Sequence, residues 1–152
     1  MDSKKITLKS GKKAVFISDC YNANPDSMGK VIDFCGTSAD DKMKVFVLGD
    51  MKELGSDSKK AHEKIAEKII SYKADYIYLA GEEMKSCYEM LKEKKYAGKD
   101  FSEKVFYYTD KSFEDISNKI NEVCGNDALI LLKGSQSMSL EKIIPLLQHG
   151  EE

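Results

Sequence analysis

Short, continuous apolar segments that alternate with helix-periodic segments are the feature of this sequence that most limits its fold. The apolar segments are four or five residues long, and each ends at a loop that is polar or contains glycine. They cover residues 14–17, 45–48, 76–79, 105–108 and 128–132. Runs of this length indicate strands covered on both faces, as in parallel sheets. A further strand is predicted where Ile6 and Leu8 alternate with polar neighbours.

The segments between these strands have a helical period. Met28, Val31, Ile32 and Cys35 are spaced i, i+3, i+4, i+7, and Gly36 is predicted to end that helix. Similar stripes lie in 61–69, 84–91, 113–123 and 140–147, where Pro145 must kink or restart the last helix. We therefore expect one α/β domain over residues 1–152. Its sheet should be doubly wound, Rossmann-like and mostly parallel, with about six strands and helices on both faces.

Charge and hydropathy exclude several partners. The net charge is −2, and all 24 basic residues are lysine, so no basic field favours nucleic acid and no arginine fork can hold an anion. No apolar run approaches the roughly 20 residues of a membrane span, and the first residues do not resemble a secretion signal. We expect a cytoplasmic protein without a membrane span.

The cysteines and histidines do not predict a metal site. Cys20, Cys35, Cys87 and Cys124 lie far apart, and neither histidine has a second ligand one helical turn away. The cysteines are expected to be reduced and partly buried.

In a doubly wound sheet, functional groups gather beyond the carboxyl ends of the strands. The first such loop contains Asp19, Tyr21 and Asn22 and ends at Asn24-Pro25, a pair typical of a helix N-terminus. It is either an ordinary capped connection or a functional loop. The short loops at 80–82 and 109–110 are selected by the same rule.

Two further loops follow the same rule. Asp50, in Gly49–Gly55, is either a turn residue or a hydrogen-bond acceptor or metal ligand, and His62 beyond it is more often a packing residue than a catalyst. Lys133 and Ser135 begin a loop that could hold an anion or a carboxylate. The sequence contains no phosphate loop, dinucleotide fingerprint, nucleophile elbow or zinc-protease motif, so no complete catalytic apparatus is visible.

Four motifs in order resemble one family. They are D-x-Y-N-A-N-P-x-S at 19–27, G-D-M-x-E-L-G at 49–55, His62, and K-G-S-x-x-M-x-x-E at 133–141. Together they resemble the C-terminal domain of the Mur ligases, in the branch that adds D-alanyl-D-alanine to UDP-N-acetylmuramoyl-tripeptide. The resemblance implies that an N-terminal UDP-sugar-binding domain and a central ATPase domain are absent from this chain, and that the isolated domain is inactive.

The resemblance also implies roles for individual residues. ATP and Mg²⁺ would serve the full-length enzyme, with neither bound by this domain alone. The dipeptide amine would attack an acyl phosphate formed on the tripeptide. The residues that face the nucleotide and the interdomain cleft would be Asp19, Tyr21, Asn22 and Asn24. The residues that line the side where the dipeptide docks would be Asp50, Lys133 and Ser135. His62 and Gln136 would support these residues. Gln136 stands where the family usually has arginine, which weakens any carboxylate clamp there.

Two other classes stay open. A phospho-accepting receiver-like signalling domain has the same sheet type and would use Asp19, Asp50, Thr109 and Lys133. A non-catalytic binding module would use the fold for protein contacts alone.

Overall fold

The chain forms one mixed sheet with helices on both faces, as a computed structural model shows. The structure describes residues 2–19, 23–38, 42–72, 74–93, 101–110 and 112–148. Its strands are β1 (Asp2–Thr7), β2 (Lys13–Asp19), β3 (Lys44–Gly49), β4 (Tyr76–Ala80), β5 (Val105–Tyr108) and β6 (Ala128–Lys133). Its helices are α1 (Pro25–Ser38), α2 (Ser58–Ile70), α3 (Lys85–Glu93), α4 (Phe113–Val123) and α5 (Ile144–Leu147), with short 3-10 helices at Gly55–Asp57, Gln136–Met138 and Leu140–Ile143.

The strand order is β1-β2-β6-β3-β4-β5, and the strands from β2 onward are parallel. β1 pairs with β2 in the antiparallel direction. The last strand in the chain thus lies between β2 and β3, which are separated in the sheet although they are consecutive parallel strands in sequence. This confirms the predicted doubly wound, mostly parallel sheet.

Two apolar layers cover the sheet. One layer packs α1, α2 and α3 on the strands, and its members include Met28, Ile32, Phe46, Leu48, Ile65, Ile69, Ile77, Leu79, Leu91 and Leu131. The other packs α4, α5 and the 3-10 helix before α5 on the opposite face, with Phe16, Val47, Tyr78, Ile116, Ile120, Ile130, Leu132, Leu140, Ile143 and Leu147. Because both faces are covered, the strands consist of continuous apolar runs.

Helix α1 continues beyond Gly36, so the prediction that this glycine ends the helix was wrong. A methyl group at Gly36 would collide with the ring of Tyr72 after α2. The glycine is needed because a neighbouring side chain lies against it. The ammonium of the buried Lys44 donates a hydrogen bond of 3.2 Å to the Gly36 carbonyl, which satisfies an acceptor near the helix C-terminus.

The remaining predictions about local structure hold where the structure describes them. Pro145 lies in the first turn of α5, so the apolar stripe restarts as a new helix there. Cys35, Cys87 and Cys124 are free and buried, and burial raises the pKa of the Cys35 thiol to about 12. None of the helices in the described part of the chain has the length and apolar character needed to cross a bilayer.

Candidate functional site

Four neighbouring strands, β2, β6, β3 and β4, end side by side at one edge of the sheet. Lys133 at the end of β6 is in register with Asp19 on β2 and with Leu48 on β3, and Gly49 is in register with Ala80 on β4. The loops that follow these strands therefore leave from the same edge. The motifs at 19–27, 49–55 and 133–141 begin together in space although they are far apart in sequence.

The carboxylate of Asp50 connects the β3 loop to the start of α3. The residue is fully buried; its Oδ1 accepts a hydrogen bond of 2.9 Å from the Met84 amide, and its Oδ2 lies 3.1 Å from the Lys52 ammonium. A carboxylate at a helix N-terminus satisfies an exposed N–H and interacts favourably with the helix dipole. Asp50 is thus a fixed part of the wall and holds two loops together.

The backbone after β4 passes so close to the Asp50 carboxylate that position 81 must be glycine. Gly81 has φ of +110°, and a methyl group there would overlap the Asp50 carboxylate. Gly49 and Gly134 also lie close together: a methyl on Gly134 would come within 2.7 Å of a Leu140 methyl and 3.1 Å of the Gly49 Cα. These contacts explain Gly49 in the second motif and Gly134 in the last.

Ser135 joins the β6 loop to the β3 loop by two hydrogen bonds. Its amide donates to the Asp50 carbonyl at 3.0 Å, and its Oγ accepts from the Lys52 amide at 2.9 Å. Lys133, at the end of β6, is fully buried, whereas Gln136 is exposed at the start of the following 3-10 helix. The structure therefore places Asp50 and Ser135 in direct contact, as the shared edge predicted.

His62 is fully buried, and both of its ring nitrogens have partners. Nε2 accepts a hydrogen bond of 3.1 Å from the Met51 amide, while Nδ1 lies 2.8 Å from the Ser58 carbonyl and 3.2 Å from its hydroxyl. An acceptor at Nε2 places the proton on Nδ1, which donates to the carbonyl. The Ser58 hydroxyl in turn donates to Glu83. His62, which the sequence predicted to be a packing residue, thus also links the β3 loop to α2 by hydrogen bonds.

Asn24 caps α1. Its Oδ1 accepts from the Ser27 amide at 2.9 Å, and its own amide donates to the Ser27 hydroxyl at 3.2 Å, which is a reciprocal cap. The N-cap prediction is confirmed. Tyr21 and Asn22 lie outside the described residues, and only the backbone of Asp19 is described. The nucleotide-facing roles of these four residues stay predictions.

A cleft of about 440 Å³ opens at the carboxyl ends of β3, β4 and β5. The residues that line it are Asp50, Lys52, Gly81, Glu82, Thr109, Asp110 and Met138. Carboxylates outnumber ammonium groups along this lining. Burial, followed by the negative charges of Asp50, Glu82 and Glu89, raises the pKa of the nearby Tyr107. Within the described residues, no group of three or more His, Cys, Asp or Glu side chains is arranged to hold a metal ion.

Three residues of this site were not identified from the sequence. Lys52 lies inside the Gly49–Gly55 loop, but nothing in the sequence pattern distinguishes it from an ordinary surface charge. Ser58 and Glu83 belong to no motif, and only their contact with each other and with His62 reveals their part. The rule that selects carboxyl ends of strands did point to the loops of Glu82 and Thr109.

A doubly wound α/β sheet whose motif loops leave from the carboxyl ends of neighbouring strands defines a Rossmann-like domain. The family model for the Mur ligase, glutamate ligase domain matches residues 6–136. The chain belongs to this family.

Individual relatives agree with that assignment. Over 132 residues the chain is 32% identical to the UDP-N-acetylmuramoyl-tripeptide–D-alanyl-D-alanine ligase of Rickettsia prowazekii, a match that covers 87% of this chain and 27% of that protein. The fold is similar to MurF ligase of Thermotoga maritima in complex with ADP (TM-score 0.73, 20% identity, 95% of this chain and 29% of that one). It is also similar to MurF of Acinetobacter baumannii (TM-score 0.71, 25% identity, 93% and 29%). The chain thus spans just over a quarter of the length of these proteins.

Proposed function

We propose that this chain is the C-terminal domain of a MurF-type ligase, which adds D-alanyl-D-alanine to UDP-N-acetylmuramoyl-tripeptide in the cytoplasm. The UDP-sugar-binding and central ATPase domains of the enzyme would be its partners. The observation that carries the proposal is the meeting of the motif loops at one sheet edge, where Asp50 and Ser135 are hydrogen-bonded. Relatives that carry this activity by name support it.

The domain would act by positioning the dipeptide. Glu82 and Asp110 line its cleft, and their negative charge favours the ammonium of an incoming dipeptide. The buried Asp50 fixes Lys52, whose ammonium offers a cation for the opposite end. ATP, bound by the central domain with Mg²⁺, would supply the phosphoryl group that activates the tripeptide carboxylate. Asp19, Tyr21, Asn22 and Asn24 would face that nucleotide. Closure of the domain would bring amine and activated carboxylate together and exclude water.

The environment of Asp50 argues against the receiver-like alternative. A phospho-accepting aspartate must present a carboxylate oxygen to the phosphodonor. Asp50 is fully buried, and its two oxygens bond the Met84 amide and the Lys52 ammonium. Phosphorylation there would break the link between two loops.

A chimera tests the proposal. Residues 6–148 would replace the corresponding domain of Acinetobacter baumannii MurF, and phosphate release and ligated product would be measured with ATP, Mg²⁺, UDP-N-acetylmuramoyl-tripeptide and D-alanyl-D-alanine. We expect ligation by the chimera and none by the chain alone. Asp19→Ala or Lys133→Ala should each lower turnover more than about tenfold, or about 1.4 kcal/mol of transition-state stabilisation. Lys142→Ala, at an exposed lysine beyond the site, controls for loss of a charge, and Lys44→Ala, at a buried lysine outside the site, controls for loss of a buried ammonium.

Each outcome is decisive for one part of the proposal. A folded chimera without ligase activity overturns the function, whereas unchanged turnover in both Asp19→Ala and Lys133→Ala overturns the assignment of these residues. Magnesium-dependent labelling of Asp50 by a small phosphodonor would instead support a receiver. Capture of one defined protein partner that needs neither Asp19 nor Lys133 would support a binding module.

A further inference from the structure

Each of the three residues from Asp50 to Lys52 makes a backbone hydrogen bond that fixes this short segment. The Asp50 carbonyl and the Lys52 amide both bond Ser135, and the Met51 amide between them bonds His62 Nε2. Met51 is fully buried, so its amide would have no water to bond if the imidazole were removed. An unpaired buried amide is costly, and the loop would shift to find another partner.

His62 also closes a ring of contacts around the base of the cleft. From Met51 the ring runs through the imidazole to Ser58 on α2, and from the Ser58 hydroxyl to Glu83. Glu83 precedes Met84, whose amide is bonded by the Asp50 carboxylate. The β3 loop and the β4–α3 loop, which carry Lys52 and Glu82 into the cleft, are therefore joined both directly and through His62.

We infer that His62 is a positioning residue for the incoming dipeptide. It does not line the cleft, and it acts through the Met51 peptide, which sets the placement of Asp50 and Lys52. The inference rests on the proposed function, because the dipeptide is the ligand that this cleft would take. Replacement of His62 should lower the affinity for the dipeptide, since the nucleotide and the tripeptide carboxylate would be held by other domains.

Amide hydrogen exchange of the chain alone tests the physical link. His62→Leu removes both polar contacts, His62→Gln keeps an acceptor near the position of Nε2, and Ile69→Val is a core control on the same helix. We expect the Met51 amide to exchange on the order of tenfold faster in His62→Leu, with protection largely restored in His62→Gln. Unchanged protection of Met51, or equal acceleration at Met51 and at Phe46 in the core of β3, would overturn the inference.

Kinetics of the chimera test the functional part. His62→Leu should raise KM for D-alanyl-D-alanine by about tenfold while KM for ATP stays within about twofold, and His62→Gln should recover most of the loss. An unchanged dipeptide KM, or equal losses in His62→Leu and Ile69→Val, would refute the role. If the wild-type chimera is inactive, the proposed function fails, and the exchange rate of the Met51 amide still decides whether His62 holds the loop.

Discussion

Replacement of Gly81 by alanine is the most direct test of how Asp50 is held. The glycine has φ of +110°, a conformation that costs alanine about 1–3 kcal/mol. The added methyl would also overlap the Asp50 carboxylate and displace it from the Met84 amide, a charged hydrogen bond worth about 1.5–3 kcal/mol. We therefore expect Gly81→Ala to lower the free energy of unfolding by about 2.5–6 kcal/mol.

Gly11 provides the matched control for the backbone cost. It has φ of +90°, and no atom lies within 4 Å of the position that a methyl group would take. Gly11→Ala should therefore cost only the backbone strain, about 1–3 kcal/mol. Both variants can be compared with the unmodified chain by equilibrium urea unfolding, followed by far-ultraviolet circular dichroism.

The difference between the two variants measures the contact with Asp50. Equal losses for Gly81→Ala and Gly11→Ala would show that the carboxylate moves aside without cost, and the reasoning would be refuted. A double-mutant cycle makes the same point. In an Asp50→Ala background the extra cost of Gly81→Ala should disappear, because the methyl then has no carboxylate to displace.

Three further predictions concern the packing of α1 on α2. Gly29→Ala should raise the stability by about 0.5–1 kcal/mol because it removes a flexible residue from a helix and its methyl makes only ordinary contact, 3.5 Å from Lys68. Gly36→Ala should lower stability by about 1–3 kcal/mol because Tyr72 occupies the space; thermal unfolding that shows the same sign for both would contradict this. Hydrogen bonds from Lys68 and Tyr72 hold the pKa of Asp33 below its usual value. Its contribution to stability is therefore complete above the unfolded pKa of about 4 and is lost as the pH falls through the folded pKa. The melting temperature of Asp33→Asn should therefore fall less than that of the unmodified chain as the pH is lowered through this range. Parallel plots of melting temperature against pH for the two proteins would disprove the role given to Asp33.

Local pattern predicted the elements of this fold but not their arrangement. The continuous apolar runs at 45–48 and 128–132 correctly indicated strands with both faces covered. Periodicity within one segment carries no information about which strand it pairs with, so the position of β6 between β2 and β3 could not be derived. Gly36 shows the same limit: glycine often ends a helix, but here the distant Tyr72 ring requires a glycine inside the helix.

In the candidate site, too, the sequence predicted which loops meet but not the contacts between residues far apart in the chain. Placement of Asp50 and Ser135 at one edge was predictable, because all parallel strands present their carboxyl ends there. The inward turn of the Asp50 carboxylate toward Met84 was not, since its partner lies 34 positions away along the chain. Ser58 and Glu83 are ordinary polar residues of a helix start and a turn, and no local signal distinguishes them.

The central position of β6 has a consequence for biogenesis. Before residues 128–133 pair, the polypeptide can form a β1–β2 hairpin and a β3–β4–β5 half-sheet, but no pairing between the described strands links the two pieces. Each piece then has an open apolar border of the kind that promotes intermolecular association. A truncated product that ends before Ala128 should therefore require chaperones or aggregate, and β6 should gain protection in the same kinetic phase as the sheet as a whole.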